Sequence, residues 1–128
     1  MQSRGKILII DDDAGIRDVL KQMLEKEGYY VETLADGRDA KQLHIVYQFD
    51  LIITDILMPE KEGIETILEL RKEFPNLKII AISGGGGSGL LRAESVLNIA
   101  RTLGAARTLA KPFKRQEILD LIAEVLNG

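Results

Sequence analysis

The sequence predicts an α/β domain in which a parallel sheet is covered by helices on both faces. Three observations carry that reading. Short apolar runs, KILII (6–10), DLIIT (50–54), KIIAI (78–82) and TLA (108–110), stand where strands buried on both sides would stand. Between them lie segments with apolar residues at helical spacing, long enough to cross back over a sheet. Acidic, hydroxyl and basic residues then fall just after the strands, on the rim where such sheets bind ligands.

Each element follows in order. After KILII comes Asp11-Asp12-Asp13. Residues 14–27 then put Ile16, Val19, Leu20, Met23 and Leu24 at helical spacing, and Gly28 supplies a stop. YYVET (29–33) is more polar and reads as an edge strand, ending in LADG. A second helix is expected over 38–47. DLIIT runs into Asp55, and a third helix over 64–74 ends at Pro75. KIIAI leads to Ser83 and to SGGGGSG (83–89), after which Ser88 is expected to cap a fourth helix over 90–103, closed by Gly104. That helix carries Leu90, Ala93, Leu97 and Ala100 on one face with Val96, Ile99 and Leu103 beside it, a wide apolar stripe expected to pack on the sheet. TLA reaches Lys111-Pro112, and residues 114–126 form the last helix. The whole is five βα units in a single domain over residues 1–128, with no repeat or linker and no output domain expected.

Composition removes several classes of function. The 128 residues are 45% hydrophobic and 29% charged with a net charge of only -3, so there is core enough for one domain and no basic stripe for nucleic acid. Absence of cysteine excludes disulfides, thiolate zinc sites and thiol catalysis. No run approaches membrane-spanning length, and MQSRGKILII does not have the form of a signal peptide. A cytoplasmic location is expected.

The rim residues make a chemically coherent set. Asp11 and Asp12 follow the first strand, Asp55 the third, Ser83 the fourth and Lys111 the fifth. Crowded carboxylates repel unless a cation joins them, and Mg²⁺ takes oxygen ligands of this kind. An ammonium and a hydroxyl beside a metal suit the oxygens of a transferring phosphoryl group, with a central carboxylate as nucleophile. Asp55 is the strongest candidate, because it ends an apolar run where an unpaired charge is costly. Asp13, just before a helix, is read as an N-cap.

ILIIDDD, DLIITDILMPEKEG, IIAIS and LAKPF, in this order along essentially the whole chain, resemble the receiver domain of two-component response regulators. The strongest motif is Asp55-x-x-Met58-Pro59 with Gly63 after it. The resemblance implies a flavodoxin-like (βα)5 fold with strand order 2-1-3-4-5. It implies that Asp55 is the phosphoacceptor, taking its phosphoryl group from a histidine kinase or histidine phosphotransfer protein. Asp12 would ligate Mg²⁺ (or Mn²⁺) directly and Asp11 through water, with Asp55 and the backbone carbonyl of Leu57 completing the set. Ser83 matches the switch hydroxyl, and Lys111 the lysine that pairs with the phosphoryl group. The Lys111-Pro112 bond is often cis in such domains. A receiver is a signalling domain rather than an enzyme acting on a separate substrate, although it catalyses its own phosphorylation and dephosphorylation. Its output face would be the fourth helix, fifth strand and last helix, turned to a downstream protein; a phosphoryl shuttle in a phosphorelay is the alternative role.

Several positions depart from the family pattern. Thr108 stands three before the lysine, where an aromatic switch residue is usual, so the usual ring movement is not available. Leu57 and Gly85 offer no polar help to an attacking water, which predicts a long-lived phosphoaspartate. The segment from Ser83 to Lys111 is longer than usual, and the glycines read as a flexible hinge beyond the Ser83 hydroxyl. His44, the only histidine, is expected to be structural or surface-exposed, and LADGRDA (34–40) need not be catalytic.

Three rival readings are weaker. A haloacid-dehalogenase-type phosphatase would use Asp11 as nucleophile, but Asp13 is followed by Ala14-Gly15 rather than by the usual Thr or Val two places on. A flavin or nucleotide binder would need a phosphate loop, yet the glycine run has no following Gly-Lys-Ser/Thr and comes after the fourth strand. A receiver that no longer takes phosphoryl groups would not need the complete set of Asp11, Asp12, Asp55, Ser83 and Lys111.

Overall fold

The computed structural model describes residues 4–56, 63–84 and 105–127, the side chains of 63, 64, 83 and 84 aside. The elements are β1 (Lys6–Ile10), α1 (Ala14–Lys26), β2 (Tyr30–Leu34), α2 (Ala40–Tyr47), β3 (Leu51–Asp55), α3 (Gly63–Glu73), β4 (Lys78–Gly84), β5 (Arg107–Lys111) and a C-terminal helix, α4 (Arg115–Asn127). All strand pairs are parallel, in the order β2-β1-β3-β4-β5, so the expected topology is the observed one and β2 is an edge. The fourth helix expected over 90–103, its Ser88 cap, the glycines from Gly85 onward, and Leu57, Met58 and Pro59 lie outside the described residues.

Alternation along the strands builds two cores. Ile7, Ile9, Leu51, Ile53, Ile80 and Ile82 face one way and pack with Leu20 and Leu24 of α1 and with Ile118, Ile122 and Val125 of α4. Leu8, Ile10, Ile52, Ile79 and Ala81 face the other way, against Ala40 of α2 and Ile67 and Leu70 of α3. Every residue of β3 is buried, which is why its sequence shows no polar alternation.

Boundaries shift for local reasons. Asp50 precedes β3 rather than opening it, because its carboxylate accepts the backbone N–H of Lys6 at 2.8 Å. α2 begins at Ala40, not at 38, because the Asp36 carboxylate holds the Arg38 backbone N–H at 2.9 Å and pairs with its guanidinium at 2.8 Å. β5 is one residue longer at each end than TLA, running from Arg107 to Lys111. Gly28 follows α1 with φ +97, a left-handed conformation that glycine adopts without strain.

His44 is structural. Its Nδ1 accepts the backbone N–H of Phe49 at 3.0 Å just after α2, and its ring sits edge-on to Phe74 at 4.5 Å. Burial holds its pKa below the ordinary imidazole value of 6.5. The folded state therefore binds fewer protons than the unfolded chain as pH falls through and below 6.5. This contribution to stability is fully present above that value and lost below it. Urea unfolding between about pH 7.5 and about pH 5.5 should show a falling midpoint in the wild type and a smaller fall in His44→Phe. An equal fall in both would remove His44 from the account.

Candidate functional site

The C-terminal ends of β1, β3 and β5 bring Asp11, Asp12, Asp55 and Lys111 to one rim. Asp11 is 2% exposed and pinned at every polar atom. Its N–H donates to the Leu34 carbonyl at 3.1 Å, and its carbonyl accepts from the Arg17 guanidinium at 2.6 Å. Its Oδ1 accepts the Asp13 N–H at 2.9 Å, and its Oδ2 accepts from Lys111 Nζ at 2.8 Å. Asp13 turns away from the rim as the N-cap of α1, its Oδ1 accepting the N–H groups of Gly15 at 2.8 Å and Ile16 at 3.3 Å. Asp12 is exposed.

Asp55, 5% exposed, closes β3, and its Oδ2 accepts from the same Lys111 Nζ at 3.0 Å. Lys111 arrives from the end of β5, followed by a cis bond to Pro112. Burial alone would lower the pKa of its ammonium. Hydrogen bonds and charge attraction from Asp11 and Asp55 outweigh that and raise it above the usual lysine value. One ammonium thus bridges two buried carboxylates.

Lys111 is shared by two of the three carboxylates that gather on this rim. Oxygens of Asp11, Asp12 and Asp55 lie within 4.8 Å of one another, close enough for a metal ion to join them. An all-oxygen carboxylate set with excess negative charge is the chemistry that hard divalent cations take.

The response regulator receiver domain family matches residues 7–123. The chain belongs to that family. Receivers are the signalling domains of two-component systems, and this one is 35% identical over 126 residues to the DNA-binding transcriptional regulator NtrC of Azospirillum brasilense. That match takes in 98% of this chain but only 25% of NtrC, so the chain spans about a quarter of that relative's length. It is also 34% identical over 121 residues to the chemotaxis protein CheY of Thermotoga maritima, covering 94% of this chain and 96% of CheY. Among solved structures, Vibrio cholerae CheY4 superposes with a TM-score of 0.81 at 30% identity, over 98% of this chain and 99% of that one.

The receiver's other expected site residues are placed less completely. Ser83 lies within β4 beside Ala110, one step past the Ile82 that pairs with Asp55, and its side chain is outside the described residues. Thr108 lies within β5 opposite Ala81, half-buried and hydrogen-bonded or otherwise engaged. Two participants were not foreseen in the sequence. Arg17 holds the Asp11 carbonyl from the first turns of α1, and its signal was only a basic residue between Ile16 and Asp18. Gly37, in the LADG stretch, approaches fully buried Thr66 of α3 so closely that a Cβ there would overlap the Thr66 side chain. No helix among the described residues is long and apolar enough to cross a membrane.

Proposed function

We propose that this receiver accepts a phosphoryl group on Asp55 from a phosphohistidine of a histidine kinase or phosphotransfer protein. The observation that carries the reading is Lys111 Nζ lying 2.8 Å from Asp11 and 3.0 Å from Asp55, at the end of a strand buried throughout. A structural ion pair would need one carboxylate; a second, with Asp12 beside it, leaves negative charge for a divalent cation to balance.

Asp55 Oδ attacks phosphorus in line, the new O–P bond forming as the P–N bond to imidazole breaks. Mg²⁺ or Mn²⁺, held by Asp12, Asp55 and the Leu57 carbonyl and through water by Asp11, would neutralise charge on the phosphoryl oxygens. An indirect role for Asp11 agrees with both of its carboxylate oxygens being engaged already. Lys111 transfers its hydrogen bond from Asp55 to a phosphoryl oxygen, and the Ser83 hydroxyl takes another. Water later cleaves the acyl phosphate. With Thr108 in place of an aromatic, a swinging ring at this position does not carry the conformational signal. Residues 1–128 act as one cytoplasmic receiver domain, its output directed to a protein rather than to nucleic acid.

Solution NMR with beryllofluoride and Mg²⁺ tests this reading. Amides around Asp55, Ser83 and Lys111 should shift together in slow exchange, and only when both components are present. No response, or the same response from Asp55→Asn, would contradict it.

A further inference from the structure

We propose that Arg17 is a positioning residue for the metal-facing carboxylates of the rim. The inference rests on the reading of that rim as a divalent-cation site. Arg17 is half-buried in α1, and its Nη1 donates to the Asp11 main-chain carbonyl at 2.6 Å. That carbonyl belongs to the peptide unit joining Asp11 to Asp12. The N–H of Asp11 is held from the other side by Leu34 of β2 at 3.1 Å. Its side chain is held by the Asp13 N–H and by Lys111. Asp11 therefore has other anchors, whereas the orientation of the next peptide plane depends on the Arg17 clamp. A peptide plane is rigid, so holding its oxygen also places the nitrogen and Cα of Asp12, the point from which the Asp12 side chain departs. Asp12 is the exposed member of the three-carboxylate group, and its direction decides whether its oxygen stays within reach of the other two. Groups that orient a metal ligand from behind typically matter tenfold or more to affinity.

Charge alone makes the opposite prediction. Arg17 is a cation beside a cation site, so if it acted only through its field, its removal would tighten metal binding. The sign of the effect therefore separates positioning from electrostatics.

The test is calorimetric titration of MgCl₂ into the whole chain, as wild type, Arg17→Met and Arg17→Lys. Arg17→Met should weaken Mg²⁺ binding about tenfold, and Arg17→Lys, which keeps a donor within reach of the carbonyl, should recover to within about threefold of wild type. The phosphorylation rate of Arg17→Met should return to the wild-type value at saturating Mg²⁺, placing the defect in metal affinity and not in transfer. Circular dichroism of each variant reports whether α1 is intact. Unchanged or tighter Mg²⁺ binding by folded Arg17→Met would overturn the inference, as would a transfer defect that saturating Mg²⁺ does not repair. Failure of the wild type itself to take up Mg²⁺ would overturn the reading of the rim, and this inference with it.

Discussion

Lys111→Met should lower stability, raise metal affinity and slow phosphorylation, all in one variant. Without Lys111, Asp11 and Asp55 remain as buried carboxylates, 2% and 5% exposed, with their shared counter-charge gone. Removing one partner of a buried ion pair costs on the order of 3 kcal/mol, because the survivors are left charged and poorly solvated. The same deletion frees carboxylate oxygens and removes a competing cation, so Mg²⁺ should bind more tightly and restore much of the lost stability. Phosphorylation should still slow by about 100-fold, the usual effect of deleting one preorganised donor to a transferring group. Thermal unfolding with and without Mg²⁺, alongside labelling from a small phosphodonor, would read all three. A variant as stable as wild type in the absence of Mg²⁺ would show that the bridge seen here contributes little.

Gly37→Ala carries the largest expected stability effect outside the rim. A Cβ at residue 37 would overlap Thr66 Oγ1 and crowd its Cβ and Cγ2 at 3.0 Å. Thr66 is completely buried, and its hydroxyl has no hydrogen-bond partner among the described residues, so it has no solvent into which to move. Overpacking of this kind costs about 1–3 kcal/mol. Thr66→Ala removes both Oγ1 and Cγ2, and the cost of Gly37→Ala should shrink in that background; the pair would show coupling in a double-mutant cycle by urea denaturation. Additive effects would mean that the β2–α2 loop does not rest on α3 in this way.

The parts of the molecule that were legible in the sequence are those written in local pattern. Unbroken apolar runs marked β1, β3 and β4 because these strands are buried on both faces. β5 shows only TLA as an apolar run because its residues are half-buried and its Arg107 is exposed, which weakens the apolar signal at a sheet edge. Asp13 as a cap followed from an acid standing directly before an amphipathic run, and its two hydrogen bonds to the first turn bear that out. Asp11, Asp12, Asp55 and Lys111 could be collected because each stands at or beside a strand C-terminus, and parallel strands share one rim.

What the sequence did not reveal depends on distance along the chain. That one lysine bridges Asp11 and Asp55, across separations of 100 and 56 residues, follows from the order of strands and from side-chain reach. The Gly37–Thr66 approach joins a loop to a helix that no periodicity relates. Arg17 lies close in sequence to Asp11, but its hydrogen bond goes to a carbonyl, and main-chain acceptors leave no mark on residue identity. LADG accordingly has a packing role at Gly37, against Thr66, beyond that of an ordinary strand–helix junction.

Asp55, and not the carboxylates around it, should take the phosphoryl group. Acid-quenched intact-mass measurement after incubation with acetyl phosphate and Mg²⁺ tests it most directly, in wild type, Asp55→Asn and Asp11→Asn. The wild type should carry one Mg²⁺-dependent phosphoryl group per chain, Asp55→Asn none, and Asp11→Asn should label slowly but detectably. Labelling of Asp55→Asn at the wild-type level, with loss only in Asp11→Asn, would contradict it and make Asp11 the nucleophile.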